Sequence, residues 1–400
     1  MASGSRPIVV FGDDWGRHVS SMQHVFRHIV SRRPVIWVNG IGHRPPTLSG
    51  ADLRRVWEKG RRVLGGGSIE PVQQSQADVA PWAVIEPKVL PWHGHKAVDV
   101  LNRWSLLRAI RGRLTALDAR LAPLLVTGSP PSVCVLGRLG EAGSVYYCMD
   151  DFLHLPGVSA PMLAPLEQRL LARIDITVAT AHALTLSKVP RSGRTHYLPQ
   201  GVNYEHFAAP RSVPVELRDL PRPLIGFAGG VSDCCDFPLL RALARAHPSG
   251  TIVLVGPLTA AVDVRRELAE PNIRLLGSRP YADLPAYVQA FDVAVIPYVL
   301  NDWTRAVDPL KLLEYLAAGV PVVSTPLPEV EKYRDVITIS EADGEAWRVA
   351  TTAALGQSGE AAAERRRAVA RRHTWAARAE EFLGVLDSLE AGFASHRDAA

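Results

Sequence analysis

The stretch DPLKLLEYLAAGVPVVST, from Asp308 to Thr325, decides the fold class of this 400-residue chain. Asp308 suits an N-cap, Pro309 the first helical position and Gly319 a left-handed C-cap, so the stretch predicts a helix of about three turns. VPVVST then follows as a short, β-branched, apolar run, which predicts a buried strand. A helix, a tight turn and a buried parallel strand together indicate an α/β fold.

Length and composition point to two such domains. The chain is 47% hydrophobic and 21% charged, which is an ordinary globular composition, and its length exceeds what one core usually supports. No apolar run reaches the ~18 residues of a membrane span, and MASGSRP leads directly into IVVF without a signal-peptide core. We therefore expect a cytoplasmic protein. The four cysteines show neither a disulfide framework nor metal-ligand spacing, which favours free thiols.

The net charge of +5 does not predict a nucleic-acid partner, because most arginines are interspersed with acidic residues in helical stretches. One stretch differs: DLRRVWEKGRRV, from Asp52 to Val63, combines five basic residues with a tryptophan. Such a segment either lies peripherally on the inner membrane surface or forms an exposed helix edge. The sequence leaves both interpretations open.

Strand-like runs alternate with helical stretches, pause at a proline-marked join over residues 207–223, and then begin again. This pattern predicts two Rossmann-like domains that face each other across a cleft. We place an N-terminal domain at residues 1–205, a C-terminal domain at 206–375, and a final helix with its tail at 376–400. Apolar residues in that helix predict that it returns to the N-terminal domain.

Ligand-binding residues are expected at the carboxyl ends of the C-terminal strands. Gly229 and Gly230 end LIGFAGG and would let a ligand approach the backbone closely. A phosphate-bearing ligand suits the helix N-terminus at Pro309 and Leu310. Arg305 and Lys311 supply cations, and Glu314 supplies a hydrogen-bond acceptor for a ribose or sugar diol. Alternatively, Lys311 and Glu314 only pair with each other at i,i+3, and spacing alone does not decide.

Other chemistries lack their motifs. The chain has no GxGxxG fingerprint in the required context, no GxxxxGK[ST] loop and no GxSxG elbow. Histidines and cysteines do not fall at metal-ligand spacing. We therefore expect neither a metal nor a resident cofactor.

Five segments, in this order, resemble the glycosyltransferases of the GT-B architecture, specifically family 4. They are YLPQGVNYEHF, LIGFAGG, PNIRLLGSRPYADLPAYVQAFDVAVIPY, PLKLLEYLAAGVPVVST and HTWAARAEEF, and they span nearly all of residues 196–385. VVFGDDWGRHVSSMQHVFRHIV and VYYCMDDF in the first half look like the branch that makes teichuronic acid and related surface polysaccharides.

This resemblance implies a retaining transferase whose C-terminal domain holds a nucleotide-diphosphate sugar and whose N-terminal domain holds the acceptor. Catalytic roles then fall to Arg305, Lys311 and Glu314. The loop GDDWGRH follows the first strand, and the residues expected at the acceptor are Asp13, Asp14, Arg17, His18 and, from VYYCMDDF, Asp151. The expected partners are a nucleotide sugar and a glycan, lipid-linked or small-molecule acceptor.

The chain departs from the family pattern in two places. The first of the family's two glutamates is replaced by Ala306, and the basic pair that usually follows the first C-terminal strand is missing from FAGGVSDCCDFPLL. Three functions therefore remain open. The chain is a surface-polysaccharide or glycoconjugate transferase, a transferase that tailors a small secondary metabolite, or an inactive paralogue that serves as a binding or scaffold subunit.

Overall fold

A computed structural model describes residues 5–17, 20–42 and 79–398, with side chains described as far as residue 393. The chain forms two compact units. The first comprises Met1–Ala179, Leu184–Tyr197 and Ala379–Ala400, and the second comprises Thr180–Ala183 and Leu198–Arg378. His18, expected at the acceptor, and residues 52–63, expected at a membrane surface or on an exposed helix edge, lie outside the described residues.

The first unit is built on a parallel sheet of seven described strands. Four-residue apolar runs such as IVVF and VIWV are buried along their whole length, as strands covered on both faces must be. The strands are β1 Ile8–Phe11, β2 Val35–Val38, β3 Ala83–Ile85, β4 Leu124–Thr127, β5 Gly143–Cys148, β6 Ile176–Ala179 and β7 Thr195–Tyr197. Their spatial order is β3-β2-β1-β4-β5-β6-β7, so the strand order reverses between β1 and β4.

The helices of the first unit cover this sheet, and the last helix of the chain contributes to its core. They are α1 Ser21–Ile29, α2 Lys96–Ala116, α3 Ala160–Leu171, α4 His182–Ser187 and α13 Trp375–Asp398. The ring of Phe382 on α13 packs edge-on against Phe26, at 5.7 Å between centroids, and against Tyr147, at 5.4 Å. The predicted return of the final helix to the N-terminal domain is confirmed.

The second unit repeats this plan with six described strands. These are β8 Leu224–Ala228, β9 Thr251–Val255, β10 Ile273–Gly277, β11 Val293–Ile296, β12 Val322–Ser324 and β13 Thr338–Ile339. The order is β10-β9-β8-β11-β12-β13, with every pair parallel, so the order reverses between β8 and β11. The predicted fold class, two Rossmann-like parallel-sheet domains, is confirmed.

Helices pack on both faces of the second sheet. They are α5 Tyr204–Ala208, α6 Val215–Arg218, α7 Phe237–Ala246, α8 Val264–Glu267, α9 Leu284–Ala290, α10 Leu310–Ala318, α11 Gly344–Leu355 and α12 Glu360–Arg372. Asp236 caps α7 by accepting a hydrogen bond from the Leu239 amide at 2.8 Å.

The helix in the opening stretch ends as predicted but begins differently. Gly319 has φ of 78° and forms the left-handed C-cap. The N-cap is Pro309 rather than Asp308, so both predictions for the start of the helix were wrong. The Asp308 carboxylate instead accepts hydrogen bonds from the Gln200 amide at 2.9 Å and from Lys332 at 3.4 Å. These distant partners satisfy the buried carboxylate and draw it away from the helix.

Candidate functional site

The candidate site lies where the strand order of the second sheet reverses. Parallel sheets bind ligands beyond the carboxyl ends of their strands at such a point. Phe227 lies near the end of β8, and Tyr298 follows β11 by two residues. α10 places Lys311 in its first turn, between these two rings. The site is therefore assembled from two neighbouring strand ends and one helix N-terminus.

Lys311 is held in place by aromatic groups. Its ammonium nitrogen lies 5.1 Å from the ring centroid of Phe227 and 4.7 Å from that of Tyr298, and it donates a hydrogen bond to the Tyr298 hydroxyl. Burial lowers the pKa of Lys311 from its ordinary value, although neighbouring groups oppose this. No salt bridge joins this ammonium to a carboxylate of the described residues, so its charge is available to an anionic ligand.

The two glycines after β8 have different roles. Gly229 has φ of +152°, and a Cβ added there would lie 2.7 Å from Lys311 Cε and force the lysine to shift. Gly229 therefore makes room for Lys311 as well as for the turn. A Cβ added at Gly230 would have its nearest neighbour, Thr259 Oγ1, at 3.7 Å. The space beside Gly230 is the more open of the two to a ligand.

Glu314 lies one turn after Lys311 on the same partly exposed side of α10. No hydrogen bond or salt bridge within the described residues engages its carboxylate, and the i,i+3 pairing with Lys311 is not formed. Burial raises the pKa of Glu314 to about 7, and the nearby charge of Lys311 only partly offsets the effect. A carboxylate held this way gains from a ligand that donates hydrogen bonds to it.

Sequence reasoning missed the residues that fix α10 against the strands. The buried Tyr315 hydroxyl accepts a hydrogen bond from the Ala228 amide at 2.7 Å and approaches the Ala228 carbonyl at 3.3 Å. This contact ties the helix to the end of β8. Tyr298 positions the lysine from the other side. Tyr315 stands in the segment EYLAAG, but its partner Ala228 lies 87 residues away in sequence, so no local pattern predicts the contact.

A pair of cysteines borders the same lysine. Cys234 and Cys235 are free and buried. A hydrogen bond from Cys235, together with the effects of Ser232, Lys311 and Tyr298, lowers the pKa of the Cys234 thiol to about 6. The Ser232 hydroxyl lies 3.0 Å from the Cys234 sulfur. Of the other two cysteines, both free as expected, Cys148 is buried and Cys134 is partly exposed.

The loop before α10 presents one of the predicted cations to solvent. Arg305 is exposed in a short 3₁₀ turn over Thr304–Ala306, and Ala306 is buried. Pro309 is buried and Leu310 is partly buried. Of the predicted donor residues, Leu310, Lys311 and Glu314 lie on α10 with Pro309 as its N-cap, and Gly229 and Gly230 follow β8. Arg305 belongs to the preceding loop.

In the first unit, Asp13, Asp14 and Arg17 of GDDWGRH lie where the strand order of that sheet reverses, just after β1. Asp14 accepts a hydrogen bond from the Gly40 amide at 3.2 Å and forms a salt bridge with Arg17 at 3.5 Å. Asp13 accepts a hydrogen bond from the Trp37 indole at 2.8 Å through its backbone carbonyl, which leaves its carboxylate out of that contact. The ring of Trp15 packs against Trp37 with centroids 4.7 Å apart, so the indole anchors the loop.

Asp151, the remaining predicted acceptor residue, belongs to a buried charge network. Its carboxylate lies 2.8 Å from both Lys188 Nζ and His154 Nδ1. Lys188 also donates to Glu167 at 2.8 Å, and Glu167 accepts a hydrogen bond from Tyr146 at 2.7 Å. Burial alone would raise the pKa of Asp151, but the hydrogen bonds from Lys188 and His154 outweigh it and hold that pKa below its ordinary value.

Within the described ranges, no three or more histidine, cysteine, aspartate or glutamate side chains come together in a way that suits a metal ion. No helix in those same ranges is long and apolar enough to cross a bilayer.

Comparison with known families identifies the second unit. Residues 222–357 match the family described as Glycosyl transferases group 1. The match includes both strand ends and the α10 residues of the candidate site.

One curated relative matches about half of the chain. A Bacillus subtilis (strain 168) protein described as a teichuronic acid biosynthesis glycosyltransferase, TuaH, is 32% identical over 221 residues. That alignment covers 52% of this chain and 56% of the relative, so the chain matches little more than half of the relative's length.

Solved structures share the fold at low sequence identity. HepE from Anabaena, determined with UDP and glucose, matches with a TM-score of 0.62 at 15% identity, over 95% of this chain and 99% of its own. The α,α-trehalose 6-phosphate synthase of Burkholderia multivorans matches with a TM-score of 0.64 at 16% identity, over 97% and 100% of the two chains. These likenesses show that the fold is GT-B.

Proposed function

We propose that this protein is a retaining glycosyltransferase that moves a sugar from a nucleotide-diphosphate sugar to a cell-surface polysaccharide or glycoconjugate. The observation that carries the proposal is the placement of Lys311. Its ammonium has no carboxylate partner among the described residues. It lies at the strand-order reversal of a glycosyl transferases group 1 domain, beside Gly229 and one residue from the open backbone at Gly230.

Each part of the donor has a matching group in this site. The diphosphate meets the ammonium of Lys311 and the N-terminal amides of α10, which carry roughly half a positive charge. The sugar or ribose hydroxyls donate to the Glu314 carboxylate. Gly230 lets the backbone approach the phosphates, and Arg305 adds a second cation from the preceding loop.

The reaction then needs little covalent chemistry from the protein. The bond from the anomeric carbon to the diphosphate oxygen breaks while the bond to the acceptor oxygen forms on the same face. The acceptor proton passes to the departing phosphate. Lys311 and the helix end stabilise the charge that develops on that phosphate, which is where an enzyme gains most from fixed positive groups.

The acceptor assignment rests on the relative TuaH and on the first unit. We place the acceptor near Asp13, Asp14 and Arg17, and we expect it to be a glycan at the inner membrane face. The carboxylate of Asp151 is already held by Lys188 and His154, so we no longer assign it to the acceptor. The nucleotide is most simply uridine diphosphate, since HepE was determined with UDP. No metal or resident cofactor is needed for the proposed chemistry.

A thermal-shift panel of UDP-, GDP- and dTDP-sugars tests the proposal. A nucleotide sugar that binds only the folded protein stabilises it by RT ln(1 + [L]/Kd), so the melting temperature rises with the logarithm of the ligand concentration above the dissociation constant. We expect one nucleotide class to do so, and that donor to be hydrolysed slowly without an acceptor. Binding without hydrolysis or transfer would favour the inactive binding subunit, an alternative raised by Ala306, which stands where the family has its first glutamate. Transfer to small apolar acceptors alone would favour the tailoring enzyme.

A further inference from the structure

Helix α2 carries apolar side chains on its solvent side. Asn102, Leu106 and Ile110 face the protein and are buried. On the opposite side Val100, Leu101 and Trp104 are 50%, 56% and 65% exposed. A surface helix normally keeps such residues for the core face alone. Contiguous exposed apolar residues of this kind mark a surface that binds something.

The loop before the helix also exposes apolar side chains. The Asn102 side chain accepts a hydrogen bond from the Leu90 amide at 2.7 Å and donates one to the Leu90 carbonyl at 2.8 Å. These bonds hold the loop against the helix, where Leu90 is 42% exposed and Trp92 is 46% exposed. We call Leu90, Trp92, Val100, Leu101 and Trp104 the α2 face. It presents two tryptophans and three aliphatic side chains to solvent.

The loop and helix that carry the α2 face are rich in basic residues. Residues 86–116 contain six lysines and arginines and two acidic residues, Glu86 and Asp99. The Arg108 guanidinium lies 5.9 Å from the ring centroid of Trp104. Asp99 accepts a hydrogen bond from the Gly94 amide at 2.9 Å and lies 3.5 Å from Arg169, so its charge is already compensated. The remaining cations are Lys88, Lys96, Arg103, Arg108, Arg111 and Arg113.

We infer that the α2 face binds the surface of an anionic lipid bilayer. Tryptophans favour the headgroup level because they have an apolar body and a polar N–H, and arginines beside them meet lipid phosphates. Aliphatic side chains between them enter the acyl boundary. The surplus of positive charge matches an anionic bilayer, and this match favours lipid over a second copy of a chain that is itself basic. The inference rests on this surface and is independent of the proposed reaction.

Vesicle co-sedimentation of the full chain tests the inference. We expect binding to vesicles that contain phosphatidylglycerol, weaker binding to phosphatidylcholine alone, and loss of affinity at high salt. The double variant Leu101→Ser/Trp104→Ser should bind at least ~10-fold more weakly, because two apolar side chains no longer enter the bilayer. Leu186→Ser is the matched control, since Leu186 is 80% exposed on α4 in the same unit.

A charge-reversal pair separates the electrostatic contribution. Lys96→Glu/Arg108→Glu should weaken binding to phosphatidylglycerol vesicles, whereas Arg365→Glu, which alters an exposed arginine on α12 in the second unit, should not. All variants should keep the unfolding midpoint of the parent, since the altered side chains are exposed. Absence of vesicle binding by the parent, or full binding by Leu101→Ser/Trp104→Ser, would overturn the inference. A lower oligomeric mass of that variant in sedimentation would instead assign the α2 face to a second copy of the chain.

Discussion

Two lysines lie beyond the carboxyl ends of parallel strands, one in each unit, and their surroundings are opposite. Lys188 in the first unit is buried and lies 2.8 Å from both the Asp151 and the Glu167 carboxylates. Lys311 in the second unit meets two aromatic rings and a phenolic hydroxyl, while Glu314 on its own helix forms no salt bridge with it. The first lysine is fully compensated by its own protein, and the second is compensated only in part.

This difference separates a charge that stabilises the fold from a charge that is kept for a ligand. A buried ion pair does not attract a ligand strongly, because its carboxylate oxygens and ammonium protons already bond to each other. An ammonium held in a fixed position without a carboxylate retains most of its attraction for an incoming phosphate. The contrast identifies the functional site better than the mere presence of charged residues at strand ends.

Removal of Lys188 should produce the largest effect, and the effect should be on stability. Lys188→Ala leaves the buried Glu167 and the nearly buried Asp151 without their shared cation, which typically costs about 3–5 kcal/mol. Urea unfolding of the first unit measures this loss. Arg120→Ala is the control, because Arg120 and Asp118 form an exposed pair whose removal should cost less than about 1 kcal/mol. Equal losses for the two variants would remove the distinction between the two lysines.

Removal of Glu314 should act on the donor instead. Glu314→Ala should weaken donor binding or turnover by roughly 10- to 100-fold, the equivalent of about 1.5–3 kcal/mol of charge-assisted hydrogen bonds. Folding should survive, since no described partner loses a bond. Steady-state kinetics at saturating and limiting donor measure the effect. A Glu314→Ala protein that transfers sugar as well as its parent would show that the carboxylate takes no part in donor recognition.

The raised pKa of Glu314 gives a pH-dependent test of its burial. Because the folded-state pKa of about 7 exceeds the ordinary value of 4.5, the folded protein binds this proton more tightly than the unfolded chain does. The contribution to stability is therefore complete below pH 4.5 and disappears as the pH rises through 7. The free energy of unfolding of Glu314→Gln minus that of the parent should be about 1–2 kcal/mol larger at pH 8 than at pH 5, which allows for the partial exposure of the side chain. Denaturant unfolding at both pH values measures it, and a constant difference would contradict it.

The smallest effect should follow from the hydroxyl that positions Lys311. Tyr298→Phe keeps the ring under the ammonium but removes the hydrogen bond, so the donor dissociation constant should rise about 3- to 10-fold. Tyr287→Phe is a matched control. Its hydroxyl donates to Glu216 at 2.6 Å and accepts from Arg279 at 2.8 Å, away from α10. A larger effect from Tyr287→Phe on donor binding would indicate that Tyr298 does not position the lysine.

The sequence predicted those parts of the site that depend on local periodicity. Gly319 as a left-handed cap, the shared side of Lys311 and Glu314, and the buried run after the helix all follow from spacing within eighteen residues. Parallel sheets followed from the alternation of short apolar runs with helical stretches. These features depend on neighbours in sequence, and so they can be predicted from a single chain.

The remaining parts depend on residues that are distant in sequence. Asp308 was expected to cap the helix, but Gln200 and Lys332 compete for its carboxylate. The contact of Lys311 with Phe227 joins positions 84 apart, and the glycine at 229 serves the lysine as much as a ligand. No period or motif encodes such pairings, so the contrast between Lys188 and Lys311 emerges only from the folded chain.

Nucleotide binding to the parent and to Lys311→Ala tests the central claim most directly. Calorimetric titrations with UDP, GDP and dTDP, each compared with a titration of its nucleoside, give the contribution of the diphosphate to the affinity. Arg305→Ala, which removes an exposed cation from the loop, provides the comparison. We predict that one diphosphate binds the parent at least ~100-fold more tightly than its nucleoside, that Lys311→Ala loses most of this ratio, and that the stability of the ligand-free variant stays within about 1 kcal/mol of the parent. An unchanged ratio in Lys311→Ala, or a loss of stability without a loss of nucleotide binding, would contradict the assignment of this lysine to the donor diphosphate.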